Sequence, residues 1–297
     1  MLSTLPTEAQ VLARLIAWGK AEPALRAMLM TSSRARPDNS ADALSDYDII
    51  AVLTEPEPFR QDEAWHAFYG TPLVRWGDED VLDGARTSFC GVIYADFVKI
   101  DYTLWPVALL DQITARGVLP AELDAGYRVL LDKDGHTRGW PAPTYRAYLP
   151  AVPSAADYQD LVEEFWWAAS YVAKSLWRDE LVFARWCLDN EIQAGVLRRL
   201  LEWRVALDKG WSLRPGVKGR GLKQRLPAAL WAELAATYVG PELHDNWDAL
   251  FRTVALFRRV ALEVGADLGH TYPQAIDERM SAYLQAVSQL PLNRPPA

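Results

Sequence analysis

The sequence predicts an α+β protein in two parts, a strand-bearing N-terminal domain over residues 1–150 and a C-terminal helical bundle over residues 151–297. Three observations carry this. Runs rich in β-branched and aromatic residues fall near residues 26–31, 47–53 and 91–105, all in the first half. From about residue 155 the chain runs long and almost free of Gly and Pro, with apolar residues at helical spacing. Between the two, "DKDGHTRGWPAPTYRAYLPAVPSAAD" clusters Gly and Pro as a linker does.

Taken in order, "TEAQVLARLIAW" opens with Thr7 and has Gln10 three residues later, a capping box, followed by Val11, Leu12, Leu15 and Ile16 on one helical face. "ALRAMLM" and "YDIIAVL" read as strands joined by the polar "RARPDNSADALS". After a helix-like "DEAWHAFYG" come "TPLVRWG" and "GVIYADFVKIDYTLW", the second read as one long strand-prone run. The helical half opens with a long stretch from "ADYQDLVEEFWWAASYVAKSLW" to "LLEWRVALD", in which "LDNEI" falls on the next helical segment after "EEFWWAASYVAK", with further helices in "PAALWAELAATYV" and "LHDNWDALFRTVALFRRVALEVGADLG".

Composition narrows the function. With 50% hydrophobic and 24% charged residues in 297, the chain has enough apolar side chains for a real core and is not a disordered sequence. No apolar run approaches the roughly 18 residues that cross a bilayer, and "MLSTLPTEAQ" lacks the basic start and apolar middle of a secretion signal, so a cytoplasmic location without membrane partners is expected. A net charge of −8 argues against broad nucleic-acid binding and suits a small cationic substrate. Cys90 and Cys187 lie far apart without a CxxC or Cys/His pattern, giving neither a disulfide framework nor a zinc site. The four histidines share no spacing, and most of the 13 tryptophans are expected to be packing residues.

The chemistry concentrates where acids enter apolar strands. Asp46 and Asp48 are two apart at the start of "YDIIAVL", so both project from one face of a strand. Like charges that close raise each other's proton affinity, a conflict that a divalent cation removes. Asp101 in "VKIDYTL" has Lys99 on its own face, and if the two strands pair, three carboxylates converge on an oxygen-rich site suited to Mg2+. Such a site can hold a nucleoside triphosphate and stabilise departing pyrophosphate, with Ser32 and Ser33 cradling the phosphates and Arg34 or Lys99 supplying positive charge. The plainer alternative is that "SDYD" is a capped loop entering a strand.

On the helical side, Glu164, Trp167, Tyr171 and Lys174 recur at three- and four-residue steps along one side of a helix. Glu164 suits an acceptor's proton or cationic group, Lys174 with Tyr171 the nucleotide, and Trp167 and Glu191, the latter in "LDNEI", the acceptor. A structural network in which Tyr171 packs and Lys174 snorkels explains the same residues, and Trp166 and Trp167 are read first as packing. The general base stays open between Asp101 and Glu164. "RPGVKGRGLKQRL" does not follow a strand and lacks the GxxxxGK[ST] pattern, so it is read as surface charge.

The collinear set "TSSR", "LSDYDIIAVLT", "FVKIDYTLWP", "LLDKDG", "EEFWWAASYVAKSLWRDELVFA", "LDNEI" and "YVGPELHDNWDALFRTVALFRR" resembles the aminoglycoside 6-adenylyltransferases, the streptomycin-modifying enzymes, over about residues 10–280. The resemblance implies a nucleotidyltransferase-fold domain with a mixed sheet and a helical domain that helps bind the acceptor. It implies ATP as donor, and AMP passed to a hydroxyl of streptomycin or a related aminoglycoside with release of pyrophosphate. The family's Gly-Ser turn matches Ser32-Ser33, its Asp-x-Asp pair Asp46 and Asp48, and its later acid Asp101. Where the family has glycine this chain has Ser32, whose Cβ either resists a positive φ or crowds a phosphate. Two alternatives are a different acceptor, such as a lincosamide, and a catalytically weak nucleotide-binding homologue. A monomer is expected.

Overall fold

The computed structural model describes residues 5–38 and 40–291, so the first four residues of the segment read for a secretion signal lie outside it. The chain divides into two units, Met1–Tyr148 and Leu149–Ala297. The fold is α+β, a mixed six-stranded sheet in the first unit and helices in the second.

Helix α1 (Glu8–Ala21) starts at the Thr7/Gln10 capping box that the sequence predicts. The strands are β1 (Leu25–Thr31), β2 (Tyr47–Leu53), β3 (Pro72–Leu82), β4 (Ala85–Tyr94), β5 (Lys99–Pro106) and β6 (Tyr127–Asp132), with the short helix α2 (Glu57–Gln61) after β2, and α3 (Val107–Arg116) and α4 (Ala121–Asp124) after β5. Their order in the sheet is β3-β4-β5-β2-β1-β6. Only β2 and β5 run parallel, and every other neighbouring pair is antiparallel. Alternation along the central strands feeds two cores. Met28, Met30, Ile49, Ala51, Ile100 and Tyr102 pack with Val11 and Leu15 of α1, whereas Ala27, Leu29, Ile50, Val52 and Trp105 pack with Leu109, Leu110 and Ile113 of α3.

The run "GVIYADFVKIDYTLW" is not one strand. It breaks between Tyr94 and Lys99 into a β4–β5 hairpin, with Phe97 at φ 66° and the Val98 N–H donating to Asp96 Oδ1 at 3.4 Å. An aspartate that satisfies the backbone two residues on makes a turn inside an otherwise strand-prone sequence. The hairpin matters for the site because it sets Gly91 of β4 opposite Asp101 of β5.

In the second unit, α5 (Ala155–Trp177) opens at a Ser154/Asp157 capping box and buries Leu161, Phe165, Val172 and Leu176 on one face. The long helical stretch to residue 208 is divided into segments: Asp179 takes φ 62° after α5, and α6 (Leu181–Trp186) then widens into a π-helix over Cys187–Leu197 before α7 (Arg198–Asp208). The short helices α8 (Leu222–Arg225) and α9 (Ala228–Ala235) lead to α10 (Leu243–Leu268) and α11 (Gln274–Ser288). The core of this unit centres on Phe165 stacked on Phe257 at 3.7 Å between ring centroids. Among the described residues, no helix is long and apolar enough to cross a membrane.

Candidate functional site

The parallel pairing of β2 and β5 sets Asp48 directly beside Asp101. Both acids lie near the starts of their strands, Asp48 second in β2 and Asp101 third in β5. They share the sheet face of Ile50, Val52 and Trp105, beyond the end that α3 covers. Asp46 precedes Asp48 by two residues and Lys99 precedes Asp101 by two, which brings both to the same edge. The Lys99 ammonium bridges them, with Nζ donating to Asp46 Oδ2 at 2.7 Å and to Asp101 Oδ2 at 2.6 Å. Because β1 runs antiparallel to β2, its end delivers the turn Ser32–Ala35 to this edge as well.

Charge in this cluster is unbalanced: three carboxylates face one ammonium. Burial, then the neighbouring Asp101 and Asp46 charges, push the Asp48 carboxyl up to about 6, against the smaller opposing influence of the nearby Ser32 hydroxyl and the charge of Lys99. Burial also raises Asp101, with Lys99 pulling the other way. Burial works against the Lys99 charge, but its hydrogen bonds to Asp101 and Asp46 outweigh that and raise its pKa. Asp101 Oδ1 is buried and accepts no hydrogen bond among the described residues. Nor do any three acid, His or Cys side chains among the described residues stand together as a ready metal site, since Asp46 and Asp101 both turn to Lys99. The donor set nevertheless fits a hard divalent cation. It is all oxygen, it carries surplus negative charge, and one of its buried oxygens is unsatisfied.

Arg34 is placed differently from the phosphate-facing role the sequence suggested. Its guanidinium donates to the carbonyls of Ser45 at 2.7 Å, Asp42 at 3.0 Å and Asp46 at 3.2 Å, reaches Glu8 at 3.3 Å, and lies 3.9 Å over the Tyr47 ring. With its side chain only 7% exposed, it clamps the loop that carries Asp46. Ser33 follows Ser32 in the 3-10 turn, and the Arg36 N–H donates to its carbonyl.

Gly91 was not singled out from the sequence. A Cβ there would lie 2.8 Å from Asp101 Oδ1, so its missing side chain makes the space that this carboxylate occupies. The available signal was an isolated glycine inside "FCGVIY", which marks a close approach in a strand.

Glu164, Trp167, Tyr171 and Lys174 belong to the second unit and do form one stripe along the outer side of α5. Glu164 pairs with Arg199 at 3.0 Å, Trp167 is 69% exposed and meets the Tyr171 ring edge-on, and Lys174 Nζ sits 4.3 Å from the centre of that ring. Trp166 is buried as a packing residue, whereas its neighbour Trp167 is not. Glu191 lies in the π-helical turn beside Cys187, whose thiol is pushed up to about 11 by burial and then by the Glu191 carboxylate. The adjacent Asp189 is held by Arg185 at 2.6 Å.

Known proteins resemble this chain over most of its length. A sequence model of the streptomycin adenylyltransferase family matches residues 5–287. An aminoglycoside 6-adenylyltransferase of Bacillus subtilis is 30% identical over 268 residues, covering 89% of this chain and 91% of that protein. One from Campylobacter jejuni is 29% identical over 283 residues, 94% of each. The crystal structure of an aminoglycoside 6-adenyltransferase from Bacillus subtilis aligns with 96% of this chain and 100% of its own, at 26% identity and a TM-score of 0.48. The match runs nearly end to end through both units, and the chain belongs to the streptomycin adenylyltransferase family of nucleotidyltransferases.

Proposed function

We propose that this protein transfers AMP from ATP to a hydroxyl of streptomycin or a closely related aminoglycoside, with Mg2+ held by Asp46, Asp48 and Asp101. The observation that carries this reading is the registered pair Asp48–Asp101 on parallel strands, short of positive charge and with Asp101 Oδ1 unsatisfied. When bound, the metal supplies positive charge to the triphosphate and to the pyrophosphate as it departs. The acceptor oxygen bonds to the α-phosphorus, the bond from that phosphorus to the bridging oxygen of pyrophosphate breaks, and the hydroxyl proton passes to a carboxylate. Asp101 suits that last role because burial raises its proton affinity. Lys99 then serves as a second cation, free to turn from Asp46 and Asp101 toward a phosphate.

For the acceptor we assign the exposed stripe of α5, where Glu164 suits an ammonium or guanidinium group and Trp167 offers a flat apolar face. Glu191 is a further acid for such a cation. The net charge of −8 favours a cationic acceptor over a nucleic acid, and the active species in this reading is a monomer.

The test is pyrophosphate release from purified protein given Mg2+ and ATP, with and without streptomycin. Release that requires streptomycin, with one AMP added to the antibiotic's mass, is the expected result. Release with a different aminoglycoside alone would keep the chemistry and replace the acceptor, and no release with any aminoglycoside would overturn the proposal.

A further inference from the structure

The row of residues that begins with the acids continues across the sheet. Asp48 pairs with Asp101 of β5, Asp101 with Gly91 of β4, and Gly91 with Trp76 of β3, so all four lie on one face. At its other end this face is covered by α3, which packs on Trp105 with Leu82 and Ala85 alongside. At the acid end it carries an aromatic pair. Trp76 is 64% exposed, and its ring centre lies 5.7 Å from that of Phe89, with the planes at 57°. Phe89 leans toward the acids: its Cζ is 3.2 Å from the point where a Gly91 Cβ would stand, and Asp101 Oδ1 is 2.8 Å from the same point. The glycine thus leaves a ring edge and a carboxylate on either side of a space that any other residue would fill.

Past the aromatic pair the face turns acidic. Asp78 and Asp80 of β3 are exposed and lie opposite Phe89 and Thr87, whereas alternation puts Arg75, Glu79 and Arg86 on the other face. The turn Ser32–Ala35, which Ser32 opens at φ 58°, reaches the acids from β1, across β2 from Asp101. A triphosphate held at that turn leaves the Asp101 side, with its rings and acids, for the molecule whose hydroxyl gives up a proton.

We propose that Trp76 and Phe89, with Asp78 and Asp80 beyond them, form an acceptor-binding wall within the first unit that takes a ring of a cationic aminoglycoside against Trp76. An indole face attracts an amino or guanidino group and covers the apolar face of a sugar ring, and the two aspartates hold further cations. β3 lies two strand spacings from β5, about 10 Å, so a molecule of several linked rings can reach Trp76 with one hydroxyl at Asp101. The inference rests on the acid cluster being the site of adenylyl transfer, and it names the surface that selects the acceptor there.

The test uses the full chain and streptomycin. For Trp76→Ala, KM for streptomycin is expected to rise about tenfold, and Kd from calorimetric titration of the ATP-free protein by a similar factor, the scale of one cation–π contact. Over the same change, kcat and KM for ATP are expected to stay within about twofold. Trp76→Tyr keeps a flat ring and is expected to recover most of the affinity. Asp78→Asn combined with Asp80→Asn is expected to weaken streptomycin binding about fivefold at low salt and less at high salt, while the Trp76→Ala effect persists. Unchanged KM and Kd for streptomycin in Trp76→Ala, or a rise confined to KM for ATP, would overturn the proposal. If the wild type transfers no AMP, the functional reading fails, and the calorimetric comparison still decides this inference. Loss of streptomycin affinity in Trp76→Ala then supports the wall, and equal affinity, or binding by neither protein, overturns it.

Discussion

The two units each contain a partly buried carboxylate network, and the two are finished differently. In the helical unit, Asp277 accepts from Arg258 at 2.5 Å on each oxygen, from Tyr272 at 2.7 Å and from Ser281 at 2.9 Å. Burial opposes its charge, yet these bonds outweigh burial and hold Asp277 below the usual carboxylate range. In the sheet unit, three acids share Lys99, Asp48 is pushed up to about 6 chiefly by burial, and Asp101 Oδ1 has no donor among the described residues. A network that closes on itself holds helices together. One left short of positive charge is prepared to receive a ligand that brings it.

Removing one acid from each network should break this comparison most visibly. Asp48→Asn is expected to cost about 10²–10³-fold in turnover, the scale of losing one electrostatic group at a reacting centre, with Tm nearly unchanged. Asp277→Asn should do the reverse. It strands Arg258, and breaking a buried pair costs roughly 3–5 kcal/mol, toward the lower end here because solvent reaches Arg258. Calorimetry should show the loss in Tm, and turnover per folded molecule should be retained.

Gly91→Ala should come next. The new Cβ would meet Asp101 Oδ1 at 2.8 Å, so the carboxylate must shift, and a displacement on this scale is expected to cost about 10- to 100-fold in activity without a large change in stability. Lys99→Met should have a smaller effect on folding, about 1 kcal/mol, since the ion pairs it removes are partly exposed. Added Mg2+ should restore more Tm to this variant than to the wild type, because it replaces the lost positive charge.

The smallest effect sharpens the contrast through pH. Asp277 is depressed in the folded chain, so its contribution is complete above its unfolded value of 3.8 and is lost as pH falls through the lower folded value. Asp48 is raised to about 6, so in metal-free protein it favours the folded state when protonated, and that contribution fades as pH rises from about 4 to 6. Unfolding monitored against pH should therefore show slopes of opposite sign, with Asp277→Asn lessening the acid limb, to which other depressed carboxylates such as Asp132 also contribute, and Asp48→Asn lessening the other, to which the raised Asp101 also contributes.

Strands β1 and β2, the helical second half and the capping box at Thr7 were legible because each is a local pattern of period, propensity and caps, whereas β6 was not read as a strand. The acids were legible as a two-residue repeat entering an apolar strand. Their pairing was not, because the parallel register of Asp48 with Asp101 joins residues about fifty apart, and no local signal encodes it. Arg34 was misjudged for a related reason: a guanidinium suits a phosphate or three carbonyls equally, and only the fold brings Asp42, Ser45 and Asp46 within its reach. The β4–β5 turn at Asp96 and Phe97 was hidden inside a run of strand-forming residues. On α5, helical periodicity grouped Glu164, Trp167, Tyr171 and Lys174 on one side, while the different fates of Trp166 and Trp167 depend on what the rest of the unit packs against that helix.

The most direct test of the central claim is the mass of streptomycin after incubation with Mg2+, ATP and either the wild type, Asp48→Asn or Asp277→Asn, at a temperature where all three are folded. An added AMP with the wild type and Asp277→Asn but not with Asp48→Asn is the result expected if the open network is the site of transfer. An added AMP with Asp48→Asn at the wild-type rate would contradict it.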